Sequence, residues 1–264
     1  MEDRFSVVAN MPRSVSQLEQ YSKCAKQYEL QRIVRVRPRP AAWSHQGTAF
    51  HAVAEVFEGA NRKLSEDQAA DLYHDEYTRR VAASRAEEPN LNQWMTAGPA
   101  GRSDIEERYV RGMEQTRAYV RWSTQHQPVI WKSAEGVAGI ETHLTAELGG
   151  VTVQGYVDQL ISEGDGSVRV RDLKTGTTKS KFQLQTYGVL ARKVLGVVVN
   201  QADWYMAKTG RLSRPVDLTC VTEGLVAEQF VEMDLRVKAG NFPANPGFHC
   251  RFCDVSHACE IRKR

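Results

Sequence analysis

Apolar positions recur at helical spacing through the first half of the chain and alternate with polar ones through much of the second. Leu18, Tyr21, Ala25 and Tyr28 share one face of a helix expected over Ser14–Leu30, and Ser16 with Glu19 has the spacing of a capping box. Pro38 and Pro40 end any regular element there, and a further helix is expected from about Gly47, carrying His51 and Phe57. Ala, Glu, Arg and Gln dominate from Leu64 to Gln127, with a break at Glu88–Gly101 that holds two prolines and two glycines. This stretch reads as two or three helices. After Pro128 the segments Val129–Trp131, Val137–Glu147, Val151–Ile161 and Ser167–Leu173 are rich in β-branched residues and alternate with polar ones. Gly149-Gly150 and Gly164-Asp165-Gly166 punctuate them as hairpin turns. A helix over Lys179–Val194, strands at Ala202–Lys208 and Arg211–Leu218, and a helix over Glu223–Ala239 complete the pattern. The fold class expected is α/β: a mixed sheet flanked by helices, one domain over 1–264, with a helical subdomain at 60–127 and a core at 128–220.

Composition narrows this further. At 264 residues with 41% hydrophobic and 25% charged residues, the chain can build its own core without disulfides. No apolar run approaches 18 residues, so no membrane span is expected. The opening MEDRFSVVAN lacks a basic stretch followed by an apolar one, which makes the cytoplasm the default location. The net charge of +3 is too mild to announce a nucleic-acid binder, so any DNA site has to come from local clustering. Two clusters stand out: Arg32, Arg35, Arg37 and Arg39, and the group Arg169, Arg171, Lys174, Lys179 and Lys181 around Asp172. The first is read as a solvated face, as charge runs usually are, with phosphate contact the alternative. The second is read as phosphate-contacting.

Chemistry concentrates in Gly155-Tyr156-Val157-Asp158 and Asp172-Leu173-Lys174-Thr175-Gly176. The two segments form successive strands of one expected hairpin, so Asp158 and Asp172 can converge on a hard divalent cation. Asp172 and Lys174, two apart on a strand, leave the same face. A plain surface ion pair is the simpler reading of an isolated Asp-x-Lys, but an apolar strand does not ordinarily bury Asp158 without a partner. Gln183 and Tyr187, four apart on the following helix, share a face; alone they read as well as a surface amide beside a core aromatic.

Together these residues resemble the PD-(D/E)XK nuclease superfamily, in particular its RecB-like exonuclease branch. The resemblance rests on Gly155–Asp158, Asp172–Gly176, Gln183–Tyr187 and the early Gly47-Thr48-Ala49-Phe50-His51. It implies a restriction-endonuclease-like core and a Mg²⁺ or Mn²⁺ site held by His51, Asp158, Asp172 and the Leu173 carbonyl. Asp158, Asp172 and Lys174 are then the catalytic set, with Lys174 positioning the water, and Gln183 and Tyr187 contact substrate. Asp172 stands where many members carry Glu. Glu141 stands where some carry an additional acid and is held as a weak candidate.

Five cysteines in a chain with no export signal argue for a metal rather than a disulfide framework. Cys250-x₂-Cys253-x₅-Cys259 joined by Cys24 supplies four thiolates, which suit Zn²⁺ or an iron–sulfur cluster; spacing alone favours zinc. The wide separation of Cys24 from the other three is similar to that of iron–sulfur nucleases related to AddB and to CRISPR-associated RecB-like exonucleases. That resemblance implies a 4Fe–4S cluster, zinc being the alternative, joining segments 14–30 and 245–264. Cys220 is expected to be a buried, inert thiol. The function implied is a metal-dependent DNA nuclease, an exonuclease on single-stranded or end-bearing DNA in recombination, repair or phage DNA processing. DNA is its partner, and any helicase or recombination protein is a separate chain. The alternative is a non-catalytic DNA-binding or recombination accessory module on the same scaffold, against which the intact Asp-Asp-Lys set counts.

Overall fold

A computed structural model describes residues 2–98, 100–177 and 180–263, and Lys179, from the basic group around Asp172, lies outside them. The helices are α1 (Glu2–Ala9), α2 (Val15–Lys23), α3 (Ala25–Tyr28), α4 (Ala42–Gly59), α5 (Glu66–Glu87), α6 (Arg102–His126), α7 (Lys181–Leu195) and α8 (Glu223–Lys238). The strands are β1 (Ile140–Leu148), β2 (Val151–Ser162), β3 (Val168–Lys174), β4 (Gln201–Met206), β5 (Arg211–Leu212) and β6 (Val216–Asp217). Among the described residues they form one mixed sheet in the order β1-β2-β3-β4-β5, with β6 also on β4. The β2–β3 and β4–β5 pairs are antiparallel and β3–β4 is parallel. Strand β3 is covered on both faces, so its polar residues must find partners inside.

Two compact units divide the chain, the division falling within β1 and β2. The larger comprises Pro40–His143 and Tyr156–Cys220. Its core gathers Phe50, Val53 and Phe57 of α4, Tyr73 and Tyr77 of α5, Tyr119 and Trp122 of α6, and Leu173 and Tyr205 of the sheet. Helices α5 and α6 approach so closely at Gly112 that a Cβ there would lie 1.8 Å from the Tyr73 hydroxyl oxygen. Buried Glu58 accepts from Tyr119 at 2.8 Å, pairs with Arg62 at 2.8 Å, and also accepts from Ser123.

The smaller unit comprises Met1–Arg39, Leu144–Gly155 and Val221–Arg264, so both chain ends belong to it. Its fixed point is Arg13, fully buried, whose guanidinium pairs with Asp234 at 2.7 Å and donates to the carbonyls of Val8 and Ala9. The backbone of Arg13 bonds β2 through Thr152 and Gln154. Breaking such a buried pair costs about 3–5 kcal/mol.

Several local expectations change. The N-cap of α2 is Ser14, accepting from the Gln17 N–H, rather than Ser16. The single helix expected over Ser14–Leu30 is interrupted at Cys24, which is extended (φ −165°), and resumes as α3 and a π turn at Glu29–Ile33. One non-helical residue leaves the buried stripe in place: Leu18, Tyr21, Ala25 and Tyr28 are all buried. Helix α4 starts at Ala42, earlier than Gly47. Val129–Trp131 makes only an isolated bridge, Ile130 to Ile161. The strand expected over Arg211–Leu218 is split into β5 and β6 around Pro215, which has no N–H for a ladder.

Candidate active site

The site is assembled by α4, β1, β2, β3 and α7, all from segments of the larger unit. The β2–β3 register pairs Gln159 with Arg171, and one step further along it places Asp158 opposite Asp172. Asp158, 8% exposed, accepts from the Leu173 N–H at 2.6 Å through Oδ2. Its Oδ1 lies 3.4 Å from His51 Nδ1, and Glu141 Oε1 lies 3.6 Å from the same nitrogen. One ligand atom each from His51, Glu141 and Asp158 falls within 4.8 Å of the others. An imidazole with two carboxylates is a donor set that fits a divalent cation.

Glu141 therefore enters the site on equal terms with His51 and Asp158, although its sequence signal was weak. Its backbone carries a mark of its own: φ is +44°, a region that an L-residue with a long side chain occupies at a cost. Strain of this kind persists where the surroundings impose it.

Asp172, 1% exposed, faces the ammonium of Lys174, whose Nζ lies 3.0 Å from Oδ1 and 2.9 Å from Oδ2. The same Nζ donates to Gln183 Oε1 at 3.0 Å, and Gln183 Nε2 donates to the Tyr187 hydroxyl at 3.1 Å. Ser180 caps α7 by accepting from the Gln183 N–H at 3.1 Å, which sets the angle at which Gln183 reaches the strand. Of the residues expected from the sequence, His51 and Asp158 share one group with Glu141, Asp172 lies outside that group and pairs with Lys174, and Lys174 meets Gln183 and Tyr187 through hydrogen bonds. Leu173 participates through its N–H to Asp158.

The electrostatics follow from burial. Removal from water, then the charge of Asp158, push the Asp172 carboxyl up to about 7, while Lys174 pulls it down. Burial alone would lower the pKa of His51; the charge of Asp158 and the contacts with Asp158 and Glu141 outweigh it and push the imidazole up to about 10. Burial also raises the Tyr187 phenol, so it stays a neutral hydroxyl.

Two members of the basic group around Asp172, Arg169 and Arg171, are committed to other partners, while Lys174 stays beside it. Arg171 points to the opposite face of β3 from Asp172, where its Nε and Nη2 bond both carboxylate oxygens of buried Asp203 at 2.7 and 2.9 Å. Its guanidinium lies over the Trp122 ring at 5.3 Å. Arg169 is held by Glu163 at 2.6 Å and by Gln201 at 2.7 Å. Two of the early arginines are also engaged: Arg32 packs over Tyr28, and Arg39 donates to the Cys253 carbonyl and the Ser256 hydroxyl.

Cys24, Cys250, Cys253 and Cys259 all belong to the smaller unit and are partly buried. The Asn245 N–H points at Cys24 Sγ (3.5 Å) and the Gly247 N–H at Cys250 Sγ (3.4 Å). Burial, and after it the charges of Asp254, Cys24 and Cys250, push the Cys253 thiol up. Among the described residues no three thiols close to within 4.8 Å of one another, in contrast to the His51 group. Cys220 is exposed, not buried, because it sits in the polar connection between β6 and α8 rather than on an apolar face.

A mixed sheet flanked by helices, with a buried Asp-x-Lys on its central strand and a His/Glu/Asp group against it, defines a nuclease architecture. The chain belongs to the PD-(D/E)XK nuclease superfamily, whose family model matches residues 12–260. Membership implies a metal-dependent nuclease. The chain is 39% identical over 262 residues to the Gene 69 protein of Mycobacterium phage D29, covering 95% of this chain and 97% of that one. It is 36% identical over 281 residues to the Gene 69 protein of Mycobacterium phage L5, with the same coverage. The solved structure of SSO0001 aligns over 69% of this chain and 81% of its own, at 13% identity and a TM-score of 0.38. No helix among the described residues is long and apolar enough to cross a membrane.

Proposed function

We propose that this protein is a Mg²⁺- or Mn²⁺-dependent deoxyribonuclease, an exonuclease on single-stranded or end-bearing DNA, serving recombination, repair or processing of phage DNA. The observation that carries this reading is the convergence of His51, Glu141 and Asp158 beside the buried Asp172–Lys174 pair. His51, Glu141, Asp158 and Asp172, with the Leu173 carbonyl, would hold the cation. When bound, the cation neutralises charge on a phosphoryl group and lowers the pKa of the attacking water. Lys174 orients that water, and Gln183 restrains the ammonium through its 3.0 Å bond. Tyr187 holds Gln183 in turn, and the pair lines the substrate side. The nuclease core is assigned to 128–220 and the helical subdomain to 60–127.

We further propose that Cys24, Cys250, Cys253 and Cys259 hold a 4Fe–4S cluster between segments 14–30 and 245–264, zinc being the alternative. The all-thiol donor set and the N–H groups aimed at two of the sulfurs support this.

Labelled single- and double-stranded DNA incubated with Mg²⁺, Mn²⁺ or EDTA tests the activity. Cleavage should require a divalent ion, and Lys174→Ala should lower it at least about a hundredfold, the scale for losing one positioned donor. Undiminished cleavage in EDTA by protein freed of contaminating nucleases would overturn the reading. So would undiminished cleavage by a folded Lys174→Ala protein.

A further inference from the structure

A cleft of about 720 Å³ opens next to the Asp172–Lys174 strand, on the side that the loop Thr175–Thr177 faces. One wall is a single stripe of α6 carrying Arg111, Gln115 and Arg121; the other is the β4–β5 connection carrying Lys208. Gln115 ties the cleft to the site, since its Nε2 donates to the Thr175 carbonyl at 3.0 Å and its Oε1 accepts from buried Gln46.

Charge decides what the cleft can take. Arg111 and Arg121 keep 48% and 56% of their side-chain surface, and Lys208 is exposed. Their acid contacts are surface ones: Arg111 to Glu107 at 3.9 Å, and Arg121 to Glu66. Such pairs contribute little and exchange readily for phosphate. Arg108, also on the lining, is instead committed to buried Asp104 and stays structural. Among the described residues, Glu114 is the one acid on the lining. The cavity that His51 and Glu141 themselves line carries Glu55 against a single base, Arg80, and offers no comparable excess.

Resting on the nuclease reading above, we infer that this cleft binds the phosphate backbone of the DNA strand flanking the scissile bond, through Arg111, Arg121 and Lys208. The chain's mild net charge is consistent with a site that owes its affinity to three local cations. The loop Thr175–Thr177, which lines the cleft, follows Lys174 directly in the chain. Contacts of this type position a strand without reading its bases.

Two surface double variants test it: Arg111→Ala/Lys208→Ala in the cleft, and Arg79→Ala/Arg102→Ala as a charge-matched control on exposed arginines elsewhere. Binding of a fluorescein-labelled single-stranded oligonucleotide is measured in Ca²⁺ across a salt series. Alongside it, Mn²⁺-dependent hydrolysis of bis(p-nitrophenyl) phosphate, too small to reach the cleft, is followed. The cleft variant should bind at least tenfold more weakly and lose about 1.4 from its salt slope, two single-strand phosphate contacts' worth. Its hydrolysis of the small diester should match the unaltered protein, which also shows that it has folded. Equal weakening by the control variant would overturn the inference, as would unchanged binding by the cleft variant, and either leaves the nuclease reading standing. Failure of the unaltered protein to bind DNA and to hydrolyse either substrate would remove that reading, and the inference with it.

Discussion

The backbone N–H of Leu173 donates to Asp158 Oδ2, joining the acid of β2 to the middle residue of the Asp172-Leu173-Lys174 strand. The bond occupies one carboxylate oxygen and leaves the other facing His51. Register and ligand orientation are thereby set by the same contact. A one-residue slip between β2 and β3 would turn Asp172 and Lys174 to the Arg171 face and dismantle the site.

Glu141 combines a place in the group that could hold a metal with a left-handed backbone, and the two can be separated. Glu141→Gly removes the carboxylate and relieves the strain, so its melting temperature should equal or exceed that of the unaltered protein. Its Mn²⁺ affinity should drop more than about tenfold, beyond the lower range seen for outer-sphere partners. Calorimetric titration of Mn²⁺ checks this; undiminished affinity would remove Glu141 from the ligand set.

The metal-free protein should lose stability as pH rises. Asp172 has a folded pKa near 7 against an ordinary 3.8, and His51 one near 10 against 6.5. Both raised values mean that the folded state holds more protons than the unfolded one. The Asp172 contribution is complete below pH 3.8 and lost as pH climbs through 7; the His51 contribution is complete below 6.5 and lost through 10. On the proposed ligand set a divalent ion needs both groups deprotonated, so Mn²⁺ affinity should rise from pH 6 to pH 8 with proton release. Melting curves with EDTA and with Mn²⁺ across this range should diverge as pH increases. Parallel curves would contradict the assigned shifts.

Gly112→Ala should destabilise the larger unit by about 1–3 kcal/mol, because the new methyl meets the ring and hydroxyl of fully buried Tyr73. This loss should appear despite a helix-propensity gain of about 1 kcal/mol. Gly59→Ala, with nothing within 4 Å of the added Cβ, should instead be neutral or stabilising. Denaturant titration of the two variants side by side separates packing from propensity.

Protein purified without oxygen should be brown if iron is bound, whereas zinc, being d¹⁰, leaves it colourless. Replacing any of Cys24, Cys250, Cys253 or Cys259 by Ser should release the metal and lower stability together, while exposed Cys220→Ser should keep both. Metal analysis giving one zinc and no iron per chain would decide for zinc. Metal loss on Cys220→Ser, with Cys24→Ser unaffected, would reassign the fourth ligand.

The sequence by itself determined the parts whose signal is local. Asp172 and Lys174 share a face because a strand repeats every two residues, and Gln183 meets Tyr187 because a helix brings residues four apart together. His51 and Asp158 were legible as motifs for the same reason: each lies within one short segment. Tertiary structure decided everything that depends on which segments meet. Arg171 looks like a phosphate ligand beside Asp172 until β4 places Asp203 against it and turns it into a buried ion pair. Glu141 looks like one strand acid among several until β1 and α4 bring it to His51. Lys208 lies far in sequence from Arg111 and Arg121 and joins them in one cleft only because α6 and the β4–β5 connection face each other. Periodicity assigns a side chain to a face of its own element; burial, ion pairing and metal geometry are set by the neighbour that covers that face.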